Sequence, residues 1–484
     1  MSKLIRYRMV LFLALPIAGG FSFASRASAQ KSARPPMISE ALTCGVFHGA
    51  GGIQAGNDLQ RQNVDLTRFP KALCNDGSPG TFFFRPYDGE QNRNKWVIYL
   101  IGGGSCSNPD ECAKRWCGVD TNFSAEQMTS NVAPANGAKA SGILYRGTEF
   151  NNPLGDWNHV LVYYCTSDSW SGTNSDVRVT AFNPKTHQPI EYRINFAGRN
   201  IVEAVLESLR RHGTKGLSYT LAGGSTAMPD LDEAEEVVLA GASGGGAGVI
   251  ANLDNVADNL RHYNKRVHGA KDNAPVVWGL IDSIFLPNLE NLDYSTTVAC
   301  ITGGICNWHD YLNYGISNGS GKYWQPFQDE SCLSWHKRYL RGSEWQCSDS
   351  SHIIRHHLTT PFFVRMGEGD ELISKNLIEF MFSVPGYGLL DHFSFAALVA
   401  HDALALGNIQ TSAHEGSAMQ TVPGVFVPSC DKHETIGNNE STFNVSIASS
   451  GTALTMFDVI ANWRAGSQPS MLVKLPGGLD ICAP

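Results

Sequence analysis

The 484-residue chain has no run of basic residues and a formal net charge of −8. It therefore offers no phosphate-neutralising surface, and nucleic acid is not an expected partner. No Gly-Lys-Ser/Thr triplet occurs, which excludes a P-loop nucleotide site. No Cys-x-x-Cys pair occurs either, which argues against a zinc ribbon. Charged residues are scarce at 17%, whereas 42% of residues are hydrophobic, the balance of a globular chain with a sizeable core. Beyond the N-terminal stretch no segment is long and apolar enough to span a bilayer, and no internal repeat or low-complexity tract is present.

The N-terminal stretch reads as an address. Lys3, Arg6 and Arg8 precede a mostly apolar run from Met9 to Phe23, and Ala27-Ser28-Ala29 offers a small-residue cleavage site. Residues 1–29 are expected to be a signal peptide, and the product to be secreted or periplasmic without stable membrane insertion. All twelve cysteines lie beyond that site, an even count that predicts disulfides in an exported chain. Cys106, Cys112 and Cys117 are close enough for a local staple, and Cys300/Cys306 and Cys332/Cys347 could close others. Asn122, Asn318, Asn439 and Asn444 begin Asn-x-Ser sequons.

Residues 30–73 are polar and read as an irregular N-terminal segment. Strand-like apolar runs follow at 81–85, 96–101, 160–164, 237–240, 276–281, 362–366 and 424–427. Helical spacing of apolar residues recurs at 200–211, 248–260 and 391–406. Strands alternating with helices predict a mainly parallel central sheet with flanking helices. Residues 74–484 are expected to form one catalytic domain, interrupted by a Cys-, Trp- and His-rich insertion or cap around 285–360.

The most informative segment is Val237-Val238-Leu239-Ala240-Gly241-Ala242-Ser243-Gly244-Gly245. Gly-x-Ser-x-Gly between a strand and a helix is the context of a nucleophile elbow, so an α/β-hydrolase-like fold is expected with Ser243 as nucleophile. The backbone N–H of Gly244 would face a developing oxyanion. A second donor would come from Gly103 or Gly104, in the glycine-rich loop that follows the strand at 96–101.

Hydrolases of this type place an acid and then a histidine after the serine. Asp282 ends the first strand beyond Ser243 and Asp370 follows the second, and the strand count favours Asp370. His392, His401, His414 and His433 all follow Asp370. His392 and His401 fall in a helical pattern, whereas His433 follows a strand and sits three residues after Cys430. His352 and His356 have i, i+4 spacing with His357 adjacent, but no carboxylate completes a zinc-protease motif, and no metal or other cofactor is expected.

Six segments in order resemble the pectin acetylesterase/Notum family of carboxylesterases. They are Cys74-Asn75-Asp76-Gly77-Ser78-Pro79, Leu100 to Cys106, Tyr164 to Gly172, Phe196-Ala197-Gly198-Arg199, Ser243 to Val249, and Ser429-Cys430-Asp431-Lys432-His433-Glu434. The resemblance implies a Ser243–Asp370–His433 triad, with Asp282 outside it. The family usually carries Trp where Gly104 or Ser105 stands and Ala where Gly244 stands, so the acyl pocket is expected to differ. Trp170 and Ser105 are candidates for substrate contact. The implied activity is hydrolysis of a carboxylic ester on an extracellular substrate, foremost O-acetyl groups on pectin or a related polysaccharide. Removal of a longer acyl chain from a protein, lipid or polyester, and a non-catalytic carbohydrate-binding role, are the alternatives.

Overall fold

Val237 to Ala242 is an almost unbroken apolar run, the pattern of a strand covered on both faces. The computed structural model describes residues 34–474 apart from 48–52, 120, 122, 211–217, 222–223, 269–273, 286, 291, 293, 296–297, 376–391, 413–418 and 438–442. The expected signal peptide, Asn122, Asn439, His414 and Cys482 lie outside the described residues. Nine strands form the main sheet: β1 (Ala55–Asn63), β2 (Thr81–Arg85), β3 (Lys95–Leu100), β4 (Asn158–Val162), β5 (Glu236–Ala242), β6 (Val276–Asp282), β7 (Phe362–Arg365), β8 (Gly424–Val427) and β9 (Met471–Val473). Their order is β1-β2-β4-β3-β5-β6-β7-β8-β9. Pairing is antiparallel at β1–β2 and β2–β4 and parallel throughout the rest.

The helices needed below are α1 (Pro109–Cys117), α2 (Gly198–Ser208), α3 (Gly244–His268), α4 (Trp308–Asn318), α5 (Glu330–Tyr339), α6 (Ser350–His356), α7 (His392–Ala405) and α8 (Met456–Arg464). Helix α3 leaves the carboxyl end of β5 and packs back on β5 and β6. Trp96, Trp157, Trp278 and Trp463 are buried in the core around the sheet. Each such side chain contributes up to about 3 kcal/mol by leaving water.

One expectation needs correction. The segment 30–73 is not irregular throughout, because β1 occupies its second half. Only Leu59 of that strand is buried, and with one neighbour and polar side chains the strand shows no apolar alternation. The hairpin of Asn174–Phe182 with Pro189–Phe196 also lay hidden, packed in a separate small core with Trp116 and Trp324.

Between Asp282 and Phe362 the described residues hold helices and turns and no strand of the main sheet. Leu289, Tyr294 and Trp308 give this stretch a small apolar cluster of its own. Disulfides Cys300–Cys306 and Cys332–Cys347 staple it, joined elsewhere by Cys106–Cys112, Cys44–Cys117 and Cys74–Cys165. Cys117 therefore pairs with Cys44 rather than within the local trio. Cys430 is disulfide-bonded as well.

Candidate active site

Ser243 sits between β5 and α3 with φ 53°, a left-handed conformation rare for a residue with a side chain. The turn closes only because its glycines have no Cβ. A Cβ on Gly241 would strike the Gly245 carbonyl, and one on Gly245 would strike the carbonyl of Leu100. The serine N–H is held by Asp282 O at 2.9 Å, and its carbonyl accepts the first helical bond, from Ala247 N–H, at 3.0 Å. Strand, elbow and helix thus aim Ser243 at the carboxyl end of the sheet, where its neighbours collect.

Asp370 follows β7 and His433 follows β8. Their two loops are zipped by backbone bonds: Glu368 N–H to Pro428 O at 3.0 Å, Gly369 N–H to Cys430 O at 3.1 Å and Glu371 N–H to Asp431 O at 2.8 Å. His433 Nδ1 lies 2.9 Å from both carboxylate oxygens of Asp370, which is wholly buried. Burial alone would lower the His433 pKa, but the hydrogen bond and charge of Asp370, helped by Glu434 and Asp282, raise it above the usual imidazole value. His433 Nε2 is buried without a hydrogen-bond partner among the described residues. Ser243 and His433 line one cavity of about 410 Å3, together with Ile101, Gly102, Gly103, Phe123 and Glu434.

Asp282 has a different task. Its carboxylate accepts from the N–H groups of Thr435 at 2.8 Å and Ile436 at 3.0 Å, and pairs with Arg365 at 3.1 Å, all buried. It anchors the loop that carries His433 and does not touch the imidazole through a hydrogen bond. Of the two aspartates, Asp370 is the one hydrogen-bonded to the imidazole.

The glycine-rich loop beyond β3 is oriented by two residues to which sequence reasoning assigned no role. Arg115 of α1 donates from Nη2 to Gly103 O at 2.5 Å. The Tyr164 hydroxyl donates to Gly104 O at 2.7 Å and accepts the Ser169 N–H at 2.8 Å. In a planar trans peptide the N–H points opposite to the C=O, so pinning these two carbonyls fixes the amides of Gly104 and Ser105 as well. A point one Cβ length from Gly244 would lie 3.7 Å from Gly104 N and 3.8 Å from Gly103 N, so the loop backbone meets the start of α3. Phe123 lies over Gly104 and under the Arg115 guanidinium, 4.7 Å away. Burial brings that guanidinium down to about 10, still charged at neutral pH, while Tyr164 acts the other way. Tyr164→Phe is expected to lower kcat/KM for nitrophenyl acetate about 5- to 30-fold, the equivalent of roughly 1–2 kcal/mol. An unchanged rate would show that the loop keeps its shape without that hydroxyl.

Trp170 and Ser105 do not stand where a substrate contact was expected. Trp170 is fully buried, donates to Ile101 O at 2.9 Å and packs against Gly248 and the Tyr164 ring. It supports the elbow from beneath, because its indole fills the space Gly248 leaves open. Ser105 is exposed and bridges to Asp168, outside the cavity lining. The residue overlooked was Glu434, whose carboxyl lies in the cavity beside Gly102. Burial pushes it up to about 7, and the charges of Asp282 and Asp370 add to the rise while His433 opposes it. Its place next to His433 in sequence was the available signal.

A family model described as Pectinacetylesterase matches residues 55–477. The chain is 27% identical over 384 residues to the palmitoleoyl-protein carboxylesterase NOTUM of Homo sapiens, covering 79% of this chain and 62% of that protein. It is 26% identical over 371 residues to palmitoleoyl-protein carboxylesterase notum1a of Danio rerio, covering 76% and 59%. It thus spans about three fifths of the length of these relatives. The solved structure of the Wnt deacylase Notum from Drosophila superposes with a TM-score of 0.58 at 23% identity, over 88% of this chain and 99% of that one. That likeness shows the fold, α/β-hydrolase-like with a large, mostly parallel sheet.

Proposed function

Because the chain belongs to the pectinacetylesterase family, we propose that it is an exported serine carboxylesterase acting through Ser243, His433 and Asp370. The observation that carries the reading is a strained serine and an Asp370-bound imidazole on one cavity, beside a loop of oriented amides. In the free enzyme His433 Nε2 is not hydrogen-bonded to Ser243. Such contacts tighten when substrate excludes water.

His433 Nε2 takes the Ser243 proton as Oγ adds to the ester carbonyl. The N–H groups of Gly244 and of Gly103 or Gly104 hold the oxyanion, each donor being worth roughly 3 kcal/mol. His433 then protonates the departing alcohol, and the acyl group stays on Ser243. A water activated by the same imidazole releases the acid and restores the enzyme. Asp370 keeps Nδ1 protonated throughout, so that Nε2 carries the lone pair.

For the acyl group we favour acetyl on a polysaccharide such as pectin. Gln54, Gln127, Lys139 and Ser141 share the cavity wall with the apolar residues, a mixed lining suited to a small acyl group on a polar carrier. A longer acyl chain is the second reading, favoured by the relatives named as palmitoleoyl-protein carboxylesterases. Nitrophenyl acetate is expected to be cleaved with at least about tenfold higher kcat/KM than the octanoate, a difference of ~1.4 kcal/mol. A preference for octanoate would transfer the assignment to the longer chain.

A further inference from the structure

Three imidazoles converge in the segment between β6 and β7, away from the residues assigned to ester hydrolysis. His336 comes from α5, His352 from α6 and His357 from the residue that ends α6. His352 Nε2 lies 3.0 Å from His336 Nε2 and 3.2 Å from His357 Nε2. His336 is wholly buried and His357 nearly so. His356, the i, i+4 partner visible in the sequence, packs its ring 4.9 Å from that of His352 but contributes no nitrogen to the cluster.

Hydrogen counting shows why protons alone leave this cluster unsatisfied. The Ser343 hydroxyl donates to the Leu340 carbonyl, so at its 2.7 Å contact with His336 Nδ1 it must accept. His336 is therefore the Nδ1–H tautomer, and its Nε2 presents a lone pair to His352. If His352 Nε2 carries a hydrogen, that hydrogen goes to His336 and nothing is left for His357. If it carries a lone pair, it can accept from His357 but then faces the lone pair of His336. With all three imidazoles neutral, a proton network satisfies one contact, and a cation satisfies both.

The geometry suits such a cation. Tetrahedral zinc with Zn–N of ~2.0–2.1 Å requires ligand nitrogens ~3.3 Å apart, close to the two contacts seen. The Nδ1–H of His336 held by an oxygen is the outer-shell arrangement that orients a ligating histidine. Cys332 Sγ also lies within 4.8 Å of these nitrogens, but it is bonded to Cys347 and is no thiolate donor. We propose that His336, His352 and His357 bind one divalent first-row transition cation, Zn2+ foremost, with the fourth position open to water. The sequence pattern of His352, His356 and His357 left out His336, which comes from a different helix. The site would tie α5 to α6 beside the Cys332–Cys347 disulfide, and the proposal does not depend on the esterase reading.

The test uses the full, non-reduced chain, stripped with a chelator, then dialysed against ZnCl2 or CoCl2. Wild type should retain one equivalent of Zn2+, show visible d–d bands with Co2+, and melt several degrees higher when Zn2+ is about 100 times Kd. His352→Ala should lose the bound equivalent, the bands and the shift. His357→Asn, a smaller change at the end of α6, should do the same. Circular dichroism and cleavage of nitrophenyl acetate identify a folded variant, so the loss can be read in whichever of the two folds. Equal Zn2+ content in wild type and a folded variant, or no Zn2+ in wild type, would overturn the site.

Discussion

Ser243→Ala is expected to fold, keep its disulfides and hydrolyse nitrophenyl acetate at least about 10⁴-fold more slowly than wild type. The backbone reasons for folding survive the change. Residue 243 keeps its N–H bond to Asp282 O and its carbonyl bond to Ala247, and the collisions that demand glycine at 241 and 245 are untouched. Alanine bears the same Cβ as serine at φ 53°, so no new strain is added. What goes is the only atom at the elbow able to add to a carbonyl carbon. The amides of Gly103, Gly104 and Gly244 remain and would still favour attack by water, which sets a small residual rate. Organophosphate labelling should vanish with the hydroxyl. A folded Ser243→Ala chain that retains more than about a hundredth of the activity would mean a different nucleophile.

How far the sequence announced this site depends on how local each signal was. Strands β2 and β8 were readable residue for residue, because Thr81–Arg85 and Gly424–Val427 are short apolar runs bounded by turns. The elbow was readable because strand, glycines, serine and helix are consecutive. Asp370 followed from counting strands. His433 needed the family resemblance, since a histidine after a strand has no local mark of its chemistry. β1 was hidden because an edge strand with one buried residue has no pattern to see. Arg115 and Tyr164 act on Gly103 and Gly104 across 12 and 60 residues, and no spacing rule encodes such an approach. Trp170 misled for a related reason. An indole can line a cavity or fill the space beneath one, and the difference here lies in Gly248, far along the chain. His336 escaped notice because its partners lie 16 and more residues away, on another helix.

Asp370→Asn is the second change expected to cost about 10⁴-fold in kcat, by analogy with the general behaviour of such triads. Asp370 Oδ1 also accepts the Ile373 N–H at 3.0 Å, and an asparagine oxygen can keep that cap. The NH2 then takes the place of Oδ2, 2.9 Å from His433 Nδ1, where an Nδ1–H would face an N–H, and this favours Nδ1 as an acceptor. The proton moves to Nε2, and an Nε2–H cannot take the serine proton. The pH dependence carries a second signature. In wild type His433 must be neutral to act, and its pKa stands above the ordinary imidazole value against the pull of burial. Activity should therefore fall as pH drops through that raised value. Asp370 supplies the hydrogen bond and the largest favourable charge, so Asp370→Asn should shift the acid limb of the residual activity to lower pH. Asp282→Asn should behave differently. It breaks a buried pair with Arg365 and weakens the anchor of residues 435 and 436, so about 3–5 kcal/mol of stability is at risk and the melting temperature should drop. The Asp370 variant should melt near wild type. If instead Asp370→Asn left kcat intact while Asp282→Asn abolished it without loss of stability, the acid would have to be Asp282, and the bond from Asp370 to the imidazole would be structural.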